Sequence, residues 1–368
     1  MNTKHNRNYN EAVEVDDDAA SDTSVAVENY AISSFGIDFD VEGLVRRLRK
    51  GEVYVPEFQR NFVWSHRESS QFVESLLLGL PVPGVFLAKD RHSQKLMIID
   101  GQQRLKTLQY FYDGYFRPDP KKKSQQIFDL TQVQPQFAGR TYVQLAEEDQ
   151  RRLDNSVIHA TIIKQESPDE DEDSSLYYVF GRLNSGGRRV TAQEIRTAIY
   201  GGELLDLIEV LNGNETWRSL FGQENIRLKD RELILRFLAL YDGAEEYERP
   251  MEEFLNRFCR KYRHAPEKFL KGAERRFLKT IDTANKVLGA GAFRPVRAMN
   301  AAVFDSIAVG LARRLDRGPI INHDKLKIAV ERLAKNKKYE AATSRATSNE
   351  DSVAQRLKLA TESLASVE

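Results

Sequence analysis

Apolar residues at helical spacing and short apolar runs follow one another through the first 200 residues of the chain. A helical stripe of valines and leucines runs through FDVEGLVRRLRKGEV and predicts a first helix. A second helix is predicted after Ser65, because Ser65 and Glu68 have the spacing of a capping box. Three apolar runs bounded by polar turns predict strands: GVFLAKD, KLMIID and NSVIHATIIKQE.

From Thr191 onward, apolar residues recur at helical spacing almost without interruption. Seven segments predict helices: TAQEIRTAIYGGELLDLIEVLN, KDRELILRFLALYD, MEEFLNRFCRKYR, AERRFLKTIDTANKVLG, NAAVFDSIAVGLARRL, DKLKIAVERLAKN and EDSVAQRLKLATESLA. No fixed-period repeat relates these segments to one another. We therefore predict an α+β protein in which a mixed α/β N-terminal domain precedes a helical C-terminal domain, with a boundary near residue 200.

The charge of the chain is unevenly distributed although its net charge is zero. Residues 1–34 carry two basic and seven acidic residues, a net charge of −5, so the remaining residues carry about +5. We predict that residues 1–34 are a disordered, solubilising acidic tail. The alternative is a tail that mimics DNA and competes for a basic face. An excess of +5 is too small to establish nucleic-acid binding by itself.

Several functional classes are excluded by composition and motif content. No apolar run approaches the roughly 18–20 residues that a membrane span needs, and the N-terminus lacks the apolar core of a secretory signal. We therefore expect a cytoplasmic protein without a membrane partner. The single cysteine, Cys259, excludes an intrachain disulfide and a cysteine-based zinc cluster. The six histidines are scattered without a metal-binding pair, and there is no nucleophile elbow.

The junction IIDGQQRLKTLQY is the first candidate for chemistry. A strand that ends at Asp100 and passes into a helix exposes the first free N–H groups of that helix, which suit a phosphate. Gly101 permits close backbone approach, and the guanidinium of Arg104 in the first turn can pair with phosphate oxygens. Asp100 could hold Mg²⁺, and Gln103 could position a water or a base edge. In the alternative, Asp100 is a plain N-cap and Arg104 pairs with it structurally.

The extended stretch VPEFQRNFVW is the second candidate. Alternation places Phe58, Phe62 and Trp64 on one face as core residues, with Gln59 and Arg60 nearer the other face. An exposed glutamine and arginine on a stiff loop could read a phosphate or a base edge. A polar edge with a structural arginine is the alternative.

The stretch VFGRLNSGGRRVTAQEIR is the third candidate. Gly186 and Gly187 form a flexible turn, and Thr191 with Glu194 makes a capping box for the next helix. A glycine turn before a helix can cradle an anion, but the spacing is not that of a P-loop. A purely structural turn is the alternative.

Taken together, VPEFQRNFVW, ESLLLGLPVPGVFL, IIDGQQRLKTL and FGRLNSGGRRVTAQEIR resemble, in that order, the N-terminal domain of GmrSD-type restriction endonucleases. The resemblance covers roughly residues 35–240 and implies a ParB/sulfiredoxin-like fold. It divides the chain into a ParB-like domain with the DGQQR motif at 35–200 and a helical domain at 201–368.

The family resemblance implies a nucleotide-dependent defence module that binds and hydrolyses NTPs, with Mg²⁺, and restricts phage DNA carrying modified bases or backbones. It implies catalytic roles for Asp100, Gln103 and Arg104, with Asp100 also on the metal. It places the nucleotide beside Gly101, Gln102, Asn184, Gly186 and Gly187. It points to DNA contacts by Pro56, Phe58, Gln59 and Arg60.

Two departures from the family pattern qualify these expectations. Phe58 stands where many relatives have tyrosine, which removes a hydroxyl group from that position. The chain also lacks the His-x-x-Pro signature of the HNH-like nuclease domain that many relatives append, so DNA cutting is expected to depend on a partner chain or on a weaker activity of this domain. We expect DNA, a nuclease partner and further copies of the chain as partners. The competing hypotheses are a non-catalytic, nucleotide-gated DNA-binding or adaptor module, and an NTP-independent nuclease.

Overall fold

The computed structural model describes residues 13–14, 32–56, 62–90, 93–119, 121–122, 124–165, 179, 191–225, 227–295 and 298–368. The chain forms two compact units, residues 28–190 and residues 191–368 together with residues 1–27. The α+β fold class predicted from the sequence is confirmed, since a mixed five-stranded sheet lies in the first unit and the second is helical.

The strands of the described chain are short except at one edge of the main sheet. They are β1 Val13–Glu14, β2 Ile32–Asp40, β3 Val53–Tyr54, β4 Val85–Lys89, β5 Leu96–Asp100, β6 Tyr115–Phe116, β7 Gln126–Ile127, β8 Val157–Gln165 and β9 Met299–Asn300. The main sheet has the order β2-β8-β4-β5-β3. The β2–β8 and β4–β5 pairs are antiparallel, whereas β4–β8 and β3–β5 are parallel.

The described part of the first unit contains these α-helices: α1 Val41–Arg49, α2 His66–Leu77, α3 Gln102–Asp113 and α4 Glu147–Asp154. The capping box predicted for α2 is present, because the Glu68 carboxylate accepts from the Ser65 N–H at 2.7 Å and the Ser65 hydroxyl accepts from the Glu68 N–H at 3.2 Å. Burial of apolar residues from these helices against one face of the sheet forms the core. A short 3₁₀ helix, Tyr142–Gln144, precedes α4.

The carboxylate of Asp154 links α3 to the 3₁₀ helix and to α4. The hydroxyls of Tyr112 and Tyr142 both donate to Asp154 Oδ1, at 2.6 and 2.9 Å, and the two rings stack with centroids 4.2 Å apart. Asp154 lies in α4, so α3, the 3₁₀ helix and α4 are held in one arrangement. This brace was not evident from the sequence.

Ten helices form the described part of the second unit: α5 Ala192–Ile199, α6 Glu203–Asn212, α7 Glu215–Phe221, α8 Lys229–Gly243, α9 Met251–Lys261, α10 Glu267–Leu288, α11 Ala301–Leu315, α12 His323–Ala334, α13 Lys337–Ser344 and α14 Glu350–Ala365. Two 3₁₀ turns, Ala244–Glu246 and Gly289–Gly291, follow α8 and α10. The stretch predicted as TAQEIRTAIYGGELLDLIEVLN is interrupted at the two glycines, where Gly202 has a φ of 159° and begins α6. The helices α7 and α13 were not predicted.

A buried charge cluster lies at the centre of these helices. Asp305 of α11 accepts from Arg236 of α8 at 2.6 Å and from Arg356 of α14 at 3.1 Å, and the Asp305 side chain has no exposed surface. Charges removed from water are tolerated only when they are paired and hydrogen-bonded. The Asp305 carboxylate therefore joins three helices.

The predicted acidic tail lies mostly outside the described residues. Within residues 1–34, β1 pairs in parallel with β9, and β2 already begins at Ile32. The antiparallel partner of Ile32 is Gln165 of β8.

Candidate functional site

Two of the sequence motifs leave the same edge of the main sheet. The strands β3 and β5 are parallel, with Val53 opposite Leu96 and Tyr54 opposite Met97. The carboxyl ends of parallel neighbours meet at one edge, which is where ligands commonly bind in mixed and parallel sheets. From this edge β3 continues through Pro56 into residues 57–61, and β5 continues into Asp100 and α3.

An irregularity in the sheet precedes the DGQQR motif. The register of β4 against β5 shifts between Phe86 and Leu87, so that Leu87 lies opposite Ile98 and Phe86 lies opposite Asp100. A bulge of this kind bends a strand and redirects the side chains that follow it. Asp100 therefore leaves the sheet at a position that regular pairing does not provide.

Gly101 is required by backbone conformation and by space. Its φ is +98°, in the left-handed region that side-chain-bearing residues rarely adopt. A Cβ placed on Gly101 would lie 2.5 Å from Cγ1 of Val85. The glycine thus lets the chain turn tightly against β4 into α3, and this packing explains it without a ligand.

The N-cap of α3 is Gly101 and not Asp100. Gly101 has no side chain to accept from the first N–H groups of the helix, and no side-chain cap is present. The alternative in which Asp100 is a plain N-cap is therefore not what the structure contains. The N-cap residue of this helix thus provides no acceptor for its first N–H groups, and such groups at a helix start can bind anions.

The same alternative also predicted a structural ion pair between Arg104 and Asp100, and this pair is present. Arg104 Nη2 donates to Asp100 Oδ2 at 2.8 Å, and the side chains of Arg104 and Asp100 are 12% and 40% exposed. One carboxylate oxygen of Asp100 is thus engaged by the guanidinium, while the group as a whole still reaches solvent. The pair places one negative and one positive charge side by side at the start of α3.

Gln103 joins the two motifs directly. Its Oε1 atom accepts from the backbone N–H of Val63 at 2.9 Å and of Trp64 at 3.2 Å. Residues 63 and 64 follow the VPEFQRN stretch, so the side-chain amide in the first turn of α3 holds the exit of that stretch. Sequence reasoning assigned Gln103 to a water or a base edge and did not anticipate this contact.

Aromatic packing anchors the same exit. The Phe62 ring packs edge-on against Tyr110 of α3 and Phe116 of β6, with centroids 5.1 and 5.8 Å apart. Arg117 lies over the Phe62 ring at 5.4 Å and donates to the Trp64 carbonyl at 2.7 Å. Arg117 is far from this segment in sequence, and no local pattern could have identified its role.

The remaining predicted site residues are placed only in part. Pro56 and Gln102 are buried, and Gln102 occupies the first position of α3. The predicted DNA contacts at Phe58, Gln59 and Arg60 lie outside the described residues. The same holds for the predicted nucleotide contacts Asn184, Gly186 and Gly187.

The capping box predicted after the glycine turn is confirmed. The Thr191 hydroxyl accepts from the Glu194 N–H at 3.2 Å, and the Glu194 carboxylate accepts from the Thr191 N–H at 2.6 Å. It begins α5 of the second unit.

Lys106 and Tyr110 are among the groups of α3 whose pKa is shifted. Burial lowers the pKa of the Lys106 ammonium and raises the pKa of the Tyr110 hydroxyl, while the nearby Arg117 charge partly opposes the shift of Tyr110. Both changes favour the neutral form of the side chain. The face of α3 that carries them is therefore poorly hydrated.

Within the described ranges, no group of three or more histidine, cysteine, aspartate or glutamate side chains is arranged to hold a metal ion. In the same part of the chain, no helix combines the length and apolar character needed to cross a membrane.

Comparison with known proteins identifies the first unit. Residues 41–201 match the GmrSD restriction endonuclease, N-terminal domain. The resemblance to that domain family, predicted from the four motifs, is confirmed for these residues. The match ends two residues beyond α5, and most of the helical second unit lies outside it.

One curated relative is an uncharacterized protein of Methanocaldococcus jannaschii. The similar segment is 30% identical and covers 22% of this chain and 18% of that relative. The chain thus matches less than a fifth of the length of this relative.

Proposed function

We propose that the protein binds and hydrolyses an NTP at the DGQQR motif and engages DNA as part of a bacterial restriction system against phage. The observation that carries the proposal is the bridge from Gln103 to residues 63 and 64. A single side chain in the first turn of α3 holds the exit of the stretch expected to contact DNA. Occupancy of the helix start and the position of that stretch are therefore coupled through Gln103.

The start of α3 supplies phosphate-binding groups. The helix has no side-chain cap, its N-terminal end carries the positive end of the helix dipole, and Arg104 lies in its first turn. Arg104 is held by Asp100, and a phosphate at this position would compete for the same guanidinium. We propose that Arg104 pairs with phosphate oxygens when nucleotide is bound.

The carboxylate of Asp100 fits a magnesium–nucleotide complex better than a free metal ion. Mg²⁺ commonly takes one or two protein carboxylates and completes its coordination with water and phosphate oxygens. Asp100 has one oxygen engaged by Arg104, and its side chain is 40% exposed. Bound Mg²⁺ would neutralise phosphate charge, while Gln103 would align a water. We infer that Asp100 both orients Arg104 and holds this cation.

The proposal extends to the partners of the chain. The family name describes restriction endonucleases, and this chain matches its N-terminal domain. We propose that cutting of DNA is carried out by a partner nuclease chain or by a weaker activity of this domain, and that the protein acts in the cytoplasm as a homo-oligomer.

Nucleotide turnover by site variants tests the proposal. Phosphate release from each of the four NTPs, with and without unmodified and modified DNA, is compared for wild type, Asp100→Ala and Arg104→Ala. We expect wild-type turnover with at least one nucleotide and a loss of about 100-fold or more in Asp100→Ala, as for removal of a group that stabilises transition-state charge.

Asp113→Asn is a matched control, because Asp113 lies on the same helix and forms a surface ion pair with Arg49 at 2.6 Å. Its turnover should equal that of wild type. Folded wild-type protein that neither binds nor hydrolyses any NTP would refute the proposal. Nucleotide binding without product release, unaffected by Asp100→Ala, would favour the non-catalytic adaptor instead. DNA cleavage by Arg104→Ala at the wild-type rate would favour an NTP-independent nuclease.

A further inference from the structure

One stripe of α3 faces the exit of the VPEFQRN stretch. Gln103 accepts from the N–H groups of residues 63 and 64, and the Tyr110 ring packs on Phe62. Lys106 lies on the same stripe, three residues after Gln103 and four before Tyr110. Lys106 therefore lies on the side of α3 that faces residues 62–64.

The ammonium of Lys106 is half-buried and has no partner in the described structure. Burial lowers its pKa, and no hydrogen bond or ion pair joins it to any residue of the described ranges. Arg104, two residues earlier, pairs with Asp100 at 2.8 Å. Removing an ammonium from water without pairing it is unfavourable, and an anion that reaches it recovers the lost interaction.

We propose that Lys106 binds a phosphate group of the ligand at the DGQQR site. A compact ammonium on a flexible stem contacts phosphate as a point charge, which complements the planar fork of Arg104. The inference rests on the proposed function and adds a residue to it. It gives a role to a cation between Gln103 and Tyr110 that forms no ion pair with the described residues.

The phosphate has two possible sources with the same chemistry. The first is the nucleotide at the start of α3, and the second is the backbone of DNA at the VPEFQRN stretch. Lys106 lies on the stripe of α3 that contacts the exit of this stretch, residues 62–64, and one turn from the helix start. Binding measurements distinguish the two sources, because only a DNA contact changes the number of salt ions released from the duplex.

The test compares Lys106→Met and Lys106→Arg with wild type. Lys95→Met is the control, because Lys95 is exposed just before β5, at the opposite end of that strand from Asp100. Calorimetry with each Mg–NTP and fluorescence anisotropy with a labelled duplex, across a salt series, give the two dissociation constants. We expect Lys106→Met to weaken one of them by about tenfold or more, as for loss of a charge-assisted hydrogen bond. Lys106→Arg should retain most of the affinity, and Lys95→Met should match wild type.

The pattern of losses identifies the source. A weaker NTP affinity with an unchanged salt slope for DNA assigns the nucleotide phosphate. An unchanged NTP affinity with a DNA salt slope smaller by about 0.9 assigns the DNA backbone. Thermal unfolding checks the fold, and Lys106→Met should melt at or above the wild-type temperature because it removes a desolvated charge.

Lys106→Met protein that binds both ligands as wild type does would overturn the role of Lys106 and leave the proposed function intact. Wild-type protein that binds no NTP would instead remove the proposed function, and the nucleotide role of Lys106 with it. A loss in Lys95→Met equal to that in Lys106→Met would show a general charge effect and would also overturn the inference.

Discussion

At the scale of single residues, the DGQQR motif combines folding requirements with candidate chemistry. Gly101 is explained by its φ of +98° and by contact with Val85. Asp100 and Arg104 form a local ion pair, and Gln103 secures a neighbouring segment. Each of these roles is compatible with a bound phosphate, because the uncapped helix start and the exposed part of Asp100 remain. Conformational necessity alone would account for the glycine, but not for an ammonium at Lys106 that has no partner among the described residues.

Substitution of Gly101 separates backbone strain from packing. We expect Gly101→Ala to lower the free energy of unfolding by about 2–4 kcal/mol, since it combines a disfavoured positive φ with overpacking against Val85. Gly114→Ala is the control, because Gly114 ends the same helix with a φ of 82° and has open space where a Cβ would lie. Urea unfolding of both variants measures the difference. Equal losses would show that contact with Val85 contributes nothing.

At the scale of elements, α3 connects the parts of the first unit. Its first turn holds the exit of the VPEFQRN stretch through Gln103, and Tyr110 packs on that exit. Its last turns reach Asp154 through Tyr112 and Arg49 through Asp113. Both ends of this helix are thus attached to their neighbours by packed side chains and hydrogen bonds.

Two substitutions of Gln103 separate the role of its acceptor atom Oε1 from the role of its N–H₂ donor group. Gln103→Leu leaves two backbone N–H groups without their acceptor, so we expect a loss of about 1–2 kcal/mol in the free energy of unfolding. Gln103→Glu keeps an acceptor and should retain most of the stability, but it loses the amide N–H₂ group. If Gln103 aligns a water through that group, Gln103→Glu should retain NTP affinity and lose turnover. If Gln103→Leu is as stable as wild type, the hydrogen bonds from residues 63 and 64 to Gln103 do not stabilise the fold.

At the scale of the whole molecule, each unit is organised around buried polar groups that the helical pattern does not reveal. In the second unit, Asp305 joins Arg236 and Arg356, and the hydroxyls of Ser306 and Tyr339 lie 2.7 Å apart in the interior. Burial raises the pKa of Tyr339 to about 12, and it raises the pKa of the Cys259 thiol to about 12 as well. The hydroxyl of Tyr339 and the thiol of Cys259 are therefore neutral in the folded state over a wider pH range than in the unfolded chain.

This titration predicts loss of stability in alkali. Between pH 10 and 12 a tyrosine of the unfolded chain loses its proton while folded Tyr339 keeps it, so proton release favours unfolding. Cys259 acts in the same direction from about pH 9 upward. We expect the free energy of unfolding to be constant with respect to these groups at neutral pH. Toward pH 12 it should fall by about 2–3 kcal/mol through Tyr339 and by about 4 kcal/mol through Cys259.

Urea titrations at stepped pH measure this effect, with Tyr339→Phe as the comparison. The variant should be less stable at neutral pH, because the buried hydrogen bond between Ser306 and Tyr339 is lost, but its stability should fall less steeply above pH 10. A wild-type stability that does not decrease between pH 9 and 12 would show that these groups ionise as readily in the folded chain as in the unfolded chain.

The sequence by itself determined the class of fold and the family of the first unit. Periodicity located α2, β4, β5 and β8, because apolar spacing records which face of an element is buried. Local rules also located the capping boxes at Ser65 and Thr191, where the partners are three residues apart. The order of four motifs predicted the domain family that residues 41–201 match.

Tertiary structure alone decided how the motifs meet. Parallel pairing of β3 with β5 brings the ends of two strands together, and a bulge redirects Asp100. Contacts between residues distant in sequence, from Gln103 to Val63 and from Arg117 to Trp64, have no period and no local signature. Local propensity specifies elements, whereas hydrogen bonds and packing across the sheet edge specify their neighbours. The candidate site is therefore formed by these tertiary contacts and not by local propensity.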